Sequence, residues 1–201
     1  MKILTLLGSM RKDKYTYEIA SSLLSNIKQI TNEIDSEIIH IADMDVTNCK
    51  VLCSDYCSTH TFECCIEDDV NLILEKMIDA DAIIIGAPLY FRVPPAKFHT
   101  FAERLVSIFF NIECQGKREE NSPLDGKPCA LIGVSEYSNP SQILEYLNDF
   151  INILKMDSVK LKQFPYLGIG GQGNVFNDEI FSPFENTKEM ARLLVDIYNA
   201  K

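Results

Sequence analysis

The sequence predicts an α/β protein in which parallel strands alternate with helices. Two observations support this class. Continuous apolar runs of strand length occur at residues 3–7, 82–87 and 129–134, and stretches with the helical spacing of apolar residues lie between them. Continuous apolar runs are typical of strands that are buried on both faces. Strands that alternate with helices connect by right-handed crossovers, so we expect a parallel sheet with helices on both faces.

The elements follow in a regular order. Residues 3–7 form the first strand, and apolar spacing predicts a helix over about 16–30. The second strand is expected at 37–42. Asp68 and Asp69 then open a helix, because carboxylates at a helix N-terminus interact favourably with its dipole. The remaining elements are the central strand 82–87, a helix from Pro94 to about 110, strand 129–134, helix 141–154, strand 158–162 and helix 184–199.

Five parallel strands in 201 residues fit a three-layer sandwich of the flavodoxin-like type, with a five-stranded parallel sheet in the order 2-1-3-4-5. We expect a single domain over residues 1–201, with a cysteine-rich insertion at about 48–66. In this strand order, ligands bind beyond the carboxyl ends of strands one and three. The loops after these two strands are therefore the predicted site.

Composition excludes several classes of function. The chain has 19 basic and 29 acidic side chains, and its net charge of −10 would repel nucleic acid. No apolar run approaches the roughly 18 residues of a membrane-spanning helix, and the first residues do not resemble a signal peptide. Seven cysteines without such a leader indicate the cytoplasm, where thiols bind metals or do redox work. We expect no nucleic-acid or membrane partner.

The loop after the first strand has the features of an anion site. Gly8 permits a tight turn, and hydroxyls at Ser9 and Thr16 stand with backbone N–H groups before a helix. Arg11 and Lys14 add positive charge to a strongly acidic protein. The pattern favours phosphate binding. The alternative is that the hydroxyls only cap the helix and the cations are solvated.

The loop after the central strand places two aromatic side chains and a cation beside the predicted ligand. Tyr90, Phe91 and Arg92 follow Pro88 and Leu89. Aromatic rings at this position favour a planar ligand group. The alternative is that they pack against a neighbouring helix.

Together the two loops resemble the NADPH-dependent FMN reductase family and, within it, the iron–sulfur flavoprotein branch. The first loop is similar to that family's Gly-Ser-Pro-Arg-x-x-Ser-x-Thr phosphate loop, with matches at Gly8, Ser9, Arg11 and Thr16 and with Met10 and Lys14 at the proline and second serine positions. The second is similar to Gly-Ser-Pro-x-Tyr-Phe, with matches at Gly86, Pro88, Tyr90 and Phe91. The resemblance continues at Lys97, Phe101, Arg104 and the 125–128 segment.

The resemblance implies that FMN binds with its phosphate on residues 9–16 and its ring near 88–91. Where the family usually has a glycine-rich turn after the fourth strand, this chain has residues 135–139, beginning with Ser135. The implied cofactor-binding residues are Ser9, Arg11, Lys14, Tyr15, Thr16, Pro88, Leu89, Tyr90, Phe91 and Ser135. We assign no catalytic side chain, because the flavin does the chemistry.

Five cysteines lie within residues 49–65, where the iron–sulfur branch carries a cysteine run before an acidic helix start. The resemblance implies a [4Fe–4S] cluster with Cys49, Cys53, Cys57 and Cys65 as ligands. The first three cysteines here are separated by three residues in each gap, against two in the family. On a helix this spacing gives one stripe. A zinc or redox-thiol site, or cysteines that only pack, are therefore the alternatives.

Residues 168–173 match Gly-x-Gly-x-x-Gly, but we do not expect a dinucleotide site there. About thirty residues follow, too few for a βαβ unit, and no helix opens after the last glycine. We expect a loop at this position.

These observations lead to three hypotheses about function. The first is an FMN-dependent oxidoreductase that takes electrons from NAD(P)H or a reduced protein and passes them to a small-molecule or protein acceptor. The second is an iron–sulfur flavoprotein whose cluster relays electrons to FMN without direct NAD(P)H oxidation. The third is a flavin-less protein of the same fold that senses redox state or binds a partner. The resemblance also implies a homodimer or homotetramer.

Overall fold

A parallel sheet of six strands forms the centre of the protein in its computed structural model, which describes residues 1–31, 33–50, 56–57, 62–109, 122–172 and 183–200. The strands are β1 (Lys2–Leu7), β2 (Asp35–His40), β3 (Ala82–Pro88), β4 (Pro128–Ser135), β5 (Asp157–Ser158) and β6 (Ile169–Gln172). The helices are α1 (Tyr15–Ile30), α2 (Val70–Asp79), α3 (Ala96–Arg104), α4 (Val106–Phe109), α5 (Ser141–Ile153) and α6 (Pro183–Asn199). None of the helices within these ranges combines the length and the apolarity that crossing a bilayer requires.

The strand order is β2-β1-β3-β4-β5, and every pair is parallel. The predicted order 2-1-3-4-5 is therefore confirmed. β1 and β3 lie side by side at the centre, with Leu7 opposite Gly86 at their carboxyl ends. The order of the strands reverses at this point, so the loops after β1 and β3 begin next to each other.

The fifth position of the sheet differs from the prediction. The strand expected over 158–162 is only Asp157–Ser158, and part of the loop expected at 168–173 is instead β6. Both short strands pair with β4, β5 near its start and β6 near its end. Between them the chain turns away from the edge, where the Leu161 N–H donates to the Tyr166 carbonyl at 2.7 Å. Gly168 is required by packing, because an added Cβ would lie 2.4 Å from the Leu131 carbonyl oxygen.

Apolar side chains pack on both faces of the sheet and give the predicted three layers. One core lies under α2, α3 and α5, and the other under α1 and α6. The predicted stripe of α1 is buried in the second core against Met190 and Leu194 of α6. The helices of both layers therefore bury one face against the β-strands. This packing fixes the position of each helix relative to the sheet.

Two other boundaries differ from the sequence prediction. β2 ends at His40, two residues before its expected end, because residues Ile41–Asp43 wind into a short 3₁₀ turn. The helix expected from Pro94 to about 110 begins at Ala96 and is interrupted at Leu105, which separates α3 from α4.

A buried ion pair fastens the start of α2 to the end of α3. The Arg104 guanidinium donates to the Asp68 carboxylate at 2.5 and 3.1 Å, and the two side chains are 0% and 1% exposed. Asp68 also accepts hydrogen bonds from the N–H and hydroxyl of Thr47, at 3.0 and 2.8 Å, and from the Val70 N–H at 3.1 Å. The predicted helix start is thus correct to within two residues, but the main partner of Asp68 is Arg104.

These contacts change the ionisation of both partners. Burial raises the pKa of Asp68, but the hydrogen bonds from Arg104, Thr47 and Val70 outweigh it and lower the pKa to about 2. Burial lowers the pKa of Arg104, and the hydrogen bonds to Asp68 and Cys64 outweigh it, so that pKa is raised. A carboxyl group whose folded-state pKa is lowered stabilises the fold above its unfolded pKa of about 4. That stabilisation is lost as the pH falls towards 2.

We expect Asp68→Asn to lower the free energy of unfolding at pH 7 by about 3–5 kcal/mol, because it leaves a buried guanidinium without its counter-charge. Urea unfolding measures the difference. Between pH 4 and pH 2 the wild type loses the contribution of the ionised carboxylate, so the gap between the two proteins should narrow by about 2 kcal/mol. The matched control is Glu67→Gln, an exposed neighbour, which should change stability by less than about 0.5 kcal/mol. If both variants lost the same free energy of unfolding, the stabilising role of the Asp68–Arg104 ion pair would be contradicted.

Candidate functional site

A cleft of about 690 Å³ lies at the carboxyl ends of β1, β3 and β4, within the size range of small-molecule sites. Its walls come from the loops that follow these three strands. Eight of the ten predicted cofactor-binding residues line it: Arg11, Lys14, Tyr15, Pro88, Leu89, Tyr90, Phe91 and Ser135. Ser9 and Thr16 are buried beneath the first loop and are not among the lining residues.

Two glycines bring the first two loops together. The Gly8 N–H donates to the Gly86 carbonyl at 2.8 Å. A Cβ at Gly8 would lie 2.8 Å from the Phe98 ring, and one at Gly86 would lie 2.8 Å from the Thr16 methyl group. Side chains at either position would separate the loops, so both glycines are required by close approach.

The first loop is shaped by its own serine. The Ser9 hydroxyl accepts from the Arg11 N–H at 3.1 Å and donates to the Arg11 carbonyl at 2.9 Å. The Tyr17 N–H, at 2.7 Å from the Lys14 carbonyl, makes a backbone hydrogen bond of the first turn of α1. N–H groups that precede the first bond of a helix have no acceptor inside it and form an anion site. Lys14 and Tyr15, at this end of α1, line the cleft, so the start of the helix lies beside it.

The three basic side chains of the first loop differ in whether they form ion pairs. Lys12 pairs with Asp43 at 2.5 Å and is not a lining residue, and Lys14 lies 3.7 Å from Asp13. Arg11 makes no ion pair within the described residues. Its guanidinium is therefore the cation of this loop whose charge is left for a ligand.

The second loop is a tight turn. The Tyr90 N–H donates to the Val93 carbonyl at 2.8 Å, and the Val93 N–H donates back at 3.1 Å. The two central residues, Phe91 and Arg92, have φ angles of 48° and 73°, as in a type I′ turn. Phe91 is fully exposed at its tip, so its ring does not pack against a helix. The Leu89 N–H donates to the Val134 carbonyl at 2.7 Å and joins this loop to β4.

The third loop, after β4, contributes a polar edge. The Ser135 hydroxyl accepts from the Ser138 N–H at 3.1 Å and shares a hydrogen bond with the Ser138 hydroxyl at 2.8 Å. Glu136 and Tyr137 are exposed and line the cleft. Sequence reasoning did not assign Val134 or Gln142 to the site. Gln142 stands in the first turn of α5, where no local pattern distinguishes it from other polar helix residues.

The described cysteines of the 49–65 segment do not form a metal site by themselves. Cys49 is half-buried, Cys57 and Cys64 are buried, and Cys65 is exposed. Cys53 lies outside the described residues. Among those described, no three histidine, cysteine or acidic side chains are grouped to hold a metal ion. The ligand roles of Cys49, Cys53, Cys57 and Cys65 stay predictions.

Cys64 is fixed more firmly than the sequence suggested. Its N–H donates to the Asn71 side-chain oxygen at 3.0 Å, and its carbonyl accepts from the Asn71 amide at 2.8 Å. Its sulfur accepts from Arg104 at 3.1 Å. The same guanidinium therefore holds Asp68 and this sulfur. No sequence signal could reveal the contact, because Arg104 is 40 positions away.

Similar proteins include several that are named iron–sulfur flavoproteins. The one from Methanosarcina thermophila is 30% identical over 155 residues, which are 76% of this chain and 74% of the relative. The one from Methanocaldococcus jannaschii is 26% identical over 185 residues, 90% of this chain and 89% of the relative. One from Archaeoglobus fulgidus is 37% identical over 91 residues, so the match covers 45% of this chain and 42% of that relative.

Solved structures share the fold at low identity. The WrbA-like flavodoxin from Agrobacterium tumefaciens superposes with a TM-score of 0.61 at 16% identity, over 100% of this chain and 99% of that one. An NADH:FMN oxidoreductase in its apo form superposes with a TM-score of 0.59 at 13% identity, over 99% of this chain and 89% of that one. These structures confirm the flavodoxin-like fold.

The sequence pattern of the NADPH-dependent FMN reductase family matches residues 1–166. This range contains all three loops of the cleft and the cysteine segment, and it ends before α6. The resemblance predicted from the two loops is therefore confirmed. The chain belongs to the NADPH-dependent FMN reductase family.

Proposed function

We propose that the protein is an oxidoreductase that binds FMN in the cleft and transfers electrons between a donor and an acceptor. The observation that carries this proposal is the composition of the cleft, which joins the cationic start of α1 to the aromatic turn after β3. One end suits a phosphate, and the other suits a planar ring. Membership of the family supports FMN as the ligand.

At the phosphate end, the chain supplies charge and directed donors. The N–H groups at the start of α1 and the Arg11 guanidinium would hold the phosphate, with Lys14 beside them. A net charge of −10 gives the rest of the protein the opposite sign, so phosphate binding is favoured at this place in particular. The buried hydroxyl of Ser9 keeps the loop in shape, which is a supporting role.

At the ring end, apolar side chains would hold and shield the flavin. Leu89 and Val134, which are joined by a backbone hydrogen bond, would cover the ring with apolar surface, and Tyr90 would add an aromatic ring. FMN supplies the hydride and electron-transfer chemistry when bound. The side chains of the cleft would therefore bind and orient the flavin and shield it from water, and none needs to act as an acid or base.

The proposal extends to the electron donor, the oligomeric state and the cellular compartment of the protein. We take NAD(P)H or a reduced protein as the donor, and a small molecule or a protein as the acceptor, with the family's name supporting NADPH. A homodimer or homotetramer in the cytoplasm is the expected form. Light scattering of the purified protein measures the assembly.

Reconstitution tests the proposal directly. The protein is incubated with FMN, freed of excess by gel filtration and scanned for absorbance. We expect retained flavin that is bleached by NADPH or dithionite without oxygen. Protein that retains no flavin at micromolar concentration would contradict the proposal and favour the flavin-less sensor of the same fold.

We expect Arg11→Ala to weaken FMN binding by about 1.5–3 kcal/mol, the contribution of a charge-assisted hydrogen bond. This loss corresponds to a rise in Kd of roughly 10- to 150-fold, measured by quenching of flavin fluorescence. Lys12→Ala is the matched control, since this neighbouring cation pairs with Asp43 and does not line the cleft. Unchanged affinity in Arg11→Ala would show that the phosphate lies elsewhere.

A second candidate function is electron relay through a [4Fe–4S] cluster in the cysteine segment. Two observations favour it: the names of the relatives and the five cysteines within residues 49–65. Anaerobically purified protein should then contain about four irons and four sulfides per chain. Cys65→Ser should abolish them and Cys64→Ser should not, if Cys65 is the fourth ligand. Iron-free protein that still binds FMN would exclude the relay and leave the first proposal intact.

A further inference from the structure

We infer that Arg92 determines substrate specificity by binding the negatively charged group of the second substrate, the molecule that exchanges electrons with bound FMN. The substrate class is a ring-bearing anion, with a carboxylate, sulfonate or phosphate. The inference rests on the proposed function, because it concerns the same cleft.

The position of Arg92 separates it from the phosphate end. Arg11 and Lys14 line the cleft from the loop after β1, whereas Arg92 lines it from the turn after β3, together with Tyr90 and Phe91. FMN carries a single phosphate, and the proposed function assigns it to the start of α1 with Arg11 and Lys14. The cation on the ring side of the cleft is therefore left for another anion.

The charge of Arg92 has no counter-charge in the part of the chain that the structure describes. Its anchor is neutral. With the Gln142 amide oxygen turned towards it, Nε and Nη2 donate at 2.8 and 2.9 Å. This two-point contact fixes the planar guanidinium without neutralising it. An anchored, uncompensated guanidinium is preorganised for an anion.

The backbone of Arg92 is in a conformation that favours glycine. Its φ of 73° follows a φ of 48° at Phe91, and both lie in the left-handed region. A side chain here lowers stability relative to glycine. Such strain is concentrated at functional positions, where the side chain contributes something that glycine cannot.

The neighbour of Arg92 adds an apolar surface. Phe91 is 102% exposed at the tip of the same turn, beside the cleft. A ring-bearing anion would contact this phenyl ring while its charge pairs with the guanidinium. Among the described lining residues, Glu136 is the one carboxylate, and it disfavours an anion on the other edge, after β4.

Substitution by glycine tests the inference without disturbing the fold. Arg92→Gly removes the guanidinium and relieves the left-handed strain, so its thermal unfolding midpoint should equal or exceed that of the wild type. The FMN-loaded protein is reduced with dithionite and mixed with 1,4-naphthoquinone-2-sulfonate or with neutral 1,4-naphthoquinone. The quinone gains two electrons and two protons and becomes the hydroquinone. The electrons come from the reduced FMN, which is oxidised in the same step, and the protons come from the flavin and from water. Stopped-flow absorbance yields the apparent Kd of each quinone.

We expect the apparent Kd of the sulfonate to rise at least about tenfold in Arg92→Gly, and that of the neutral quinone to change less than about twofold. Arg92→Lys keeps the charge and the backbone strain, so it should recover part of the sulfonate binding. Lys12→Ala, outside the cleft, should match the wild type. The same comparison with NADPH in the reductive half-reaction should show a raised Kd as well.

If the wild-type protein retains FMN, two results would overturn the inference. Equal changes for both quinones, with a lowered FMN midpoint potential, would mean that Arg92 acts on the flavin itself. If Arg92→Gly binds the sulfonate as tightly as the wild type does, the charge of Arg92 does not contribute to binding the anion. A wild-type protein that retains no FMN would overturn the proposed function and this inference with it, whereas retained FMN with either of the first two results overturns the inference alone.

Discussion

The hydrogen bond from the Gly8 N–H to the Gly86 carbonyl joins the ends of the two central strands, and the cleft depends on it. Because β1 and β3 are parallel, their carboxyl ends coincide, and the two loops that leave them share one space. Phe98 and Thr16 occupy the positions that side chains at the two glycines would need. Because of this close approach of two backbones, the start of α1 and the turn after β3 line the same cleft.

Helix α3 extends this constraint towards the cysteine segment. Its first half places Phe98 against Gly8, and its last residue, Arg104, holds Asp68 and the Cys64 sulfur. Lys97 donates to the Ala42 carbonyl beyond β2 at 2.9 Å. One short helix thus contacts the loop after β1, the chain after β2 and the end of the cysteine segment. Because α3 is a rigid element packed in the core, a displacement at one end of the helix would also move the residues at its other end.

Local patterns were sufficient for most of the fold and for the predicted loops. The apolar stripe of α1 and the continuous run of β3 predicted both elements to within one residue, since the burial of each follows from neighbouring positions. The fifth position of the sheet was different. Its two short strands take their places through pairing with β4, and neither carries a long apolar run. The partners of Arg104 and the contact of Arg92 with Gln142 join residues far apart in sequence, where only the packed structure brings them together.

The contrast between the acidic protein and the guanidinium groups at its cleft also has a kinetic consequence. With a net charge of −10, the protein repels an anion at long range, whereas Arg11 and Arg92 would attract it at the cleft. Added salt shortens the Debye length, to about 10 Å at 0.1 M, and so weakens the long-range repulsion. It also weakens the contacts inside the cleft. Rising ionic strength would therefore speed the encounter with an anionic ligand while shortening its residence, so capture and retention would respond to salt in opposite directions.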